Sequence, residues 1–205
     1  EEEIEAMALT FTEGYRTGFL VENKPLEKKK TVNIRYTLGF ERIVRCAIRQ
    51  FADMGLKPTI YRTASHIMQK NQKGKNGYYG AVPNQQFEFD HKNDAALFID
   101  KALIQRKLRA LQNAYENQKE KAARHGGPAV MEIFGEKPFE PVSCKDALTL
   151  SVEQQKLQVL YDNEAGQIVN RYIIGEERSF TIIAYPVPEI GADFEKIFEE
   201  TVKVN

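Results

Sequence analysis

The chain has 205 residues, 29 basic and 29 acidic side chains, a formal net charge of zero, and 42% hydrophobic residues. That length allows one large domain or two small ones, and the composition is that of an ordinary globular protein able to bury a sizeable core. The charge balance lacks the signature of a polyanion-binding protein, so neither nucleic acid nor an acidic membrane surface is an expected partner, and no run of about 18 apolar residues is present to span a bilayer.

In chain order, Ile4, Met7, Ala8, Phe11 and Tyr15 recur at helical spacing, which predicts an amphipathic first helix with an acidic start. Residues 23–30, with Pro25 and three consecutive lysines, read as a solvated loop. Thr31 to Tyr36 alternates, with Val32, Ile34 and Tyr36 on a buried face and Asn33 and Arg35 on an exposed one. Phe40, Ile43, Val44, Ala47, Ile48 and Phe51 form one stripe of a helix that Gly55 ends, and Lys57 to Arg62 reads as a second strand. Strand, helix and strand in this space make a βαβ unit with parallel strands.

Residues 63–92 have little periodicity and read as a flexible loop or flap. Gly74-Lys75 lacks the earlier glycine and the following Ser or Thr of a phosphate loop. Asp94 to Arg124 reads as the longest helical stretch, broken near Ile99-Asp100, with Leu97, Ile104, Leu108, Leu111 and Tyr115 buried and Gly126-Gly127-Pro128 as its end. Ala129 to Phe134 is the third strand. Ser151 to Gln154 is a capping box opening a helix to about Ile173. Ser179 to Tyr185 is the fourth strand, and Asp193 opens a last helix. The last two strands are continuously apolar, so Met131, Ile133, Phe180 and Ile182 are expected in a core covered on both faces. The alternation of elements predicts an α/β layered domain with a mostly parallel, flavodoxin-like sheet flanked by helices. A single domain over residues 1–205 is expected, and the abrupt ends suggest a piece of a longer protein.

The candidates for chemistry are few. His66, His91 and His125 lie in no metal-ligand spacing, and Asp90-His91 is the only acid–histidine neighbour pair. No GxSxG turn exists. Cys46 and Cys144 are far apart and form no CxxC, which fits a reducing cytoplasm. In open parallel sheets ligands bind beyond the carboxyl ends of the strands. That places Thr37, Gly135, Glu136 and Tyr185 as candidate cleft residues: Gly135 for close backbone approach, Glu136 as an anionic partner for an amine, and Tyr185 as a wall with a hydroxyl. The competing reading makes Gly135 a turn residue and Tyr185 part of the core.

Three stretches carry a family resemblance. Residues 31–36 with 43–55 and 58–61, residues 129–138 ending Gly135-Glu136-Lys137-Pro138, and residues 180–188 ending Tyr185-Pro186-Val187-Pro188 occur in the order and spacing of one family. The whole chain resembles the N-terminal domain of the thermophilic metallo-aminopeptidases of the aminopeptidase T and aminopeptidase S type. It departs from the family pattern at Phe180 and at Glu189 to Ala192, where tryptophan is usual. The resemblance implies a non-catalytic domain that walls a peptide cleft. It places two divalent metal ions in a C-terminal domain beyond Asn205, and no metal ligand or other cofactor in this chain. Peptide is then the substrate, and a homodimer is possible. Two other readings stand beside it: an α/β domain that binds a small ligand, and an interaction module using the polar helix around residues 117–124.

Overall fold

The computed structural model describes residues 1–60, the backbone of 78–79, and residues 85–204. The protein is α/β. In chain order the elements are α1 (Glu2–Val21), β1 (Thr31–Thr37), α2 (Glu41–Asp53), β2 (Lys57–Thr59), β3 (Tyr78–Tyr79) and α3 (Gln85–Asp90). They continue with α4 (Lys101–Asn117), α5 (Lys119–Ala123), β4 (His125–Phe134), α6 (Val152–Tyr172), β5 (Thr181–Pro186) and α7 (Phe194–Val204). Every strand pair is parallel, in the order β2-β1-β4-β5. Strand β3 pairs with the end of β1 while β2 pairs with its start, so the two share one lane.

The main core lies between the sheet and α1 and α2. Helix α1 buries Met7, Ala8, Phe11, Tyr15 and Phe19 at spacings of one helical turn. Phe51 of α2 meets the rings of Phe11 and Tyr15 edge-on, at 6.0 and 5.4 Å between centroids, a geometry that adds to the gain from burial. Val32, Ile34 and Tyr36 of β1, Ala129 and Met131 of β4, and Ile183 and Tyr185 of β5 complete this core. A second, smaller cluster holds Ala95, Ile99 and Ile104, with Leu108, Leu150, Leu157 and Tyr161 packed around it where α4 and α6 meet.

Several local readings hold. Gly55 has φ +77 after α2. Asp100 caps α4 by accepting from the Leu103 amide, and so makes the expected break. Both bonds of the Ser151–Gln154 capping box are present. Helix α6, with 21 residues, is longer than α4 alone with 17, but α4 and the 5-residue α5 together fill the expected long stretch beyond its break.

Other expectations are corrected. Asn33 is buried, because β1 lies inside the sheet rather than at its rim; its side chain donates to the Thr59 carbonyl at 3.1 Å. The middle lysine of the run, Lys29, is also buried. Its ammonium donates to the Ala123 carbonyl at 2.9 Å and to Glu177 at 3.0 Å, joining the base of the α4–α6 region to the sheet. Strand β4 begins at His125, so Gly126-Gly127-Pro128 lies within it. Three residues of β1, Thr31 to Asn33, face four of β4, His125 to Pro128. This is a bulge, where a glycine and a proline are both tolerated. Gly127 has φ +110, and a Cβ there would lie 2.0 Å from the Ser179 carbonyl oxygen.

The last strand buries one face only. Thr181, Ile183 and Tyr185 point to α1 and α7, whereas Ile182 is 53% and Phe180 62% exposed. Ile133 is half-buried. Leu97 and Ile48 are exposed as well. Of residues 63–92 those described are not featureless: Tyr78–Tyr79 forms β3, and Gln85–Asp90 is helical, with Gln86 donating to Asp90 at 2.7 Å across one turn. Residues 63–77 and 80–84, which include Gly74-Lys75 and His66, lie outside the described residues.

Candidate functional site

The chain leaves β1 for β2 on one side and returns as β4 on the other, so the strand order reverses between β1 and β4. Crevices in open parallel sheets form outside the carboxyl ends at such a reversal. Thr37, last in β1, and Gly135 and Glu136, first after β4, flank that point. Tyr185 is one strand away, paired through Ile133 of β4.

Each candidate has a distinct environment. Glu136 is exposed and free to meet a ligand. Gly135 has φ +87, and a Cβ there would come within 2.7 Å of the Ile190 side chain. Only glycine fits both the backbone and the neighbour. The backbone beside it is tied to the segment after β5, because the Val187 amide donates to the Phe134 carbonyl at 3.0 Å. Thr37 is buried, and its hydroxyl has no hydrogen-bond partner. Tyr185 is 1% exposed, with its ring 5.6 Å from Phe40 and 5.9 Å from Phe198. Its hydroxyl is also buried without a partner, and burial pushes its pKa up to about 12. The structure therefore brings Tyr185 against the start of α2 and against α7, and Gly135 against Ile190. It seats the Tyr185 ring in the core.

Phe40 and Ile190 are the site neighbours that strand-end reasoning missed. Each lies in a loop that follows a strand by a few residues, and that position was the available signal.

The remaining chemistry-bearing groups lie elsewhere. His91 pairs with Asp94 at 2.8 Å rather than with its neighbour Asp90, and its ring lies 4.2 Å from that of Phe87. Both cysteines are free: Cys46 is buried, and Cys144 is exposed. Among the described residues no group of three or more His, Cys, Asp or Glu is placed to hold a metal ion. An open depression of about 510 Å³ lies between α1 and α2, lined by Glu5, Cys46, Arg49, Gln50, Ala52 and Asp53, away from the carboxyl edge. Among the described residues no helix is long and apolar enough to cross a membrane. Comparison with family models, with curated proteins and with solved structures finds no match to this chain.

Proposed function

We propose that this chain is a non-catalytic domain of a cytoplasmic metal-dependent aminopeptidase, and that its carboxyl edge walls the cleft for the peptide's free amino end. The supporting observation is the reversal of strand order between β1 and β4, flanked by Thr37, Gly135 and the exposed Glu136. A carboxylate at a cleft edge attracts and orients a peptide ammonium through a charge-assisted hydrogen bond. The resemblance of residues 31–36, 43–55 and 58–61, with 129–138 and 180–188, to the metallo-aminopeptidases names the reaction. In this reading the two metal ions and their ligands belong to a further domain, where they would supply an activated water and polarise the scissile carbonyl. Peptide is the substrate, and nucleic acid is not a partner.

The test is Glu136→Gln in the full-length protein. Removing the charge should raise KM for peptides with a free amino terminus and leave the unfolding midpoint unchanged, since the side chain is exposed. Kinetics identical to those of the parent would reduce Glu136 to scaffold.

A further inference from the structure

Two arginines and a histidine, Arg35, Arg178 and His125, lie near one another on the face of the sheet turned away from α1 and α2. Thr31, Asn33 and Arg35 project to this face of β1, opposite the core residues Val32, Ile34 and Tyr36. Thr31 pairs in register with His125 of β4, and its hydroxyl lies 3.2 Å from the His125 Nδ1. The Ser179 amide donates to the Gly126 carbonyl at 3.0 Å, which sets Arg178, just ahead of β5, beside Gly126 and next to His125 at the start of β4. Arg35 is held in place. Its Nε donates to the Asn33 Oδ1 at 2.9 Å, and Asn33 is itself buried and anchored on the Thr59 carbonyl.

Both guanidinium groups and the imidazole are half-buried, and none has a carboxylate partner among the described residues. Glu177, beside Arg178 in sequence, gives its carboxylate to Lys29. Glu132 lies farther along β4 on the same face and is exposed. Burial first, then the charges of Arg178, Arg35 and Lys29, hold the His125 imidazole below its ordinary pKa. Holding two unpaired guanidinium groups beside an imidazole on a partly covered surface is costly unless an anion joins them.

We propose that Arg35, His125 and Arg178 form a binding site for a phosphate-class oxyanion. Two guanidinium groups offer planar forks that match phosphate oxygens, and the imidazole supplies a third donor once a dianion favours its protonated form. His125 opens β4, Arg178 lies ahead of β5, and Arg35 reaches back along β1 to Asn33, so the site is distinct from the carboxyl-edge cleft proposed above.

The full chain should be titrated with inorganic phosphate at constant ionic strength while the histidine imidazole resonances are followed by NMR. Phosphate should raise the apparent pKa of His125 by about one unit or more, as an opposite charge at contact distance does. His91, whose partner is Asp94, serves as the unmoved reference. Arg35→Gln and Arg178→Gln should each weaken the phosphate midpoint about tenfold, the loss expected for one charge-assisted contact. Arg178→Lys, which keeps the charge and loses the fork, should weaken it less. Three results would overturn the site: a His125 resonance that does not move with phosphate, an equal movement in both Gln variants, or the same movement with acetate at matched ionic strength. If a variant fails to fold, the wild-type titrations with phosphate and acetate still decide for or against the site.

Discussion

Gly127 offers the sharpest test of the bulge in β4. Its φ of +110 is one that L side chains rarely adopt, and a Cβ would sit 2.0 Å from the Ser179 carbonyl oxygen, which is backbone and cannot swing aside. Gly127→Ala therefore carries two costs. The left-handed conformation costs about 1–2 kcal/mol. Displacing the neighbouring chain, with strain on the Ser179–Gly126 hydrogen bond, adds about 1–3 kcal/mol. The lower entropy of the unfolded alanine chain returns about 0.4–1 kcal/mol, leaving a net loss of roughly 2–4 kcal/mol. Two other glycines separate the terms. Gly55 has φ +77 and no atom within 4 Å of its built Cβ, so Gly55→Ala should cost only about 0.5–1 kcal/mol once the unfolded-state gain is counted. Gly166 lies within α6, is exposed and has an open Cβ direction, so Gly166→Ala should stabilise by about 0.5–1 kcal/mol. Urea unfolding followed by far-UV circular dichroism gives all three midpoints, with an unchanged slope as the check that only stability has moved. The reasoning is refuted if Gly127→Ala costs no more than Gly55→Ala.

Neighbouring isoleucines of β5 should behave oppositely. Ile183 is 8% exposed and Ile182 53%, so urea unfolding should show a loss of about 2–5 kcal/mol for Ile183→Ala and under about 1 kcal/mol for Ile182→Ala. Tyr185→Phe removes a buried hydroxyl that has no partner and should stabilise the fold by about 1 kcal/mol, raising the urea midpoint; a lowered midpoint would reveal a hidden bond. On the alkaline side, burial raises the folded pKa of Tyr185 to about 12 and also raises that of Tyr15. Stability from both is complete below about pH 10, the unfolded value, and is lost as pH rises through that of the folded state, which tyrosinate absorbance will track. On the acid side the folded pKa of His125 lies below its ordinary value, so the unfolded chain takes up the proton first. Stability should fall as pH drops below about 6.5, and the slope should flatten in His125→Asn.

Much of the fold was legible because local chemistry and global structure agree. The βαβ start, the Gly55 stop, the Asp100 cap and the Ser151–Gln154 box each depend on residues within a few positions of one another. The misreadings share a cause: each depended on a distant partner. Lys29 is buried because Glu177, 148 residues later, meets it. Asn33 is buried because β2 and β4 flank its strand. Gly126-Gly127-Pro128 reads as a helix stop, yet the bulge against β1 absorbs all three into β4. A continuous apolar run such as 180–185 does not say which face is covered; α1 and α7 decide that in favour of Thr181, Ile183 and Tyr185. At the candidate site the strand ends were legible from the order of elements. The enclosure of Tyr185 by Phe40 and Phe198 was not, because those rings come from loops and helices far apart in sequence.

The proposed function is that this chain serves a metal-dependent aminopeptidase without carrying its chemistry. The direct measurement is release of N-terminal residues from aminoacyl reporter substrates in the presence of zinc, cobalt or magnesium, by the 205-residue chain and by the full-length protein side by side. The account predicts metal-dependent turnover by the full-length protein and none by the chain alone. Turnover that follows the chain through purification would contradict it, and so would a full-length protein that is silent with every metal.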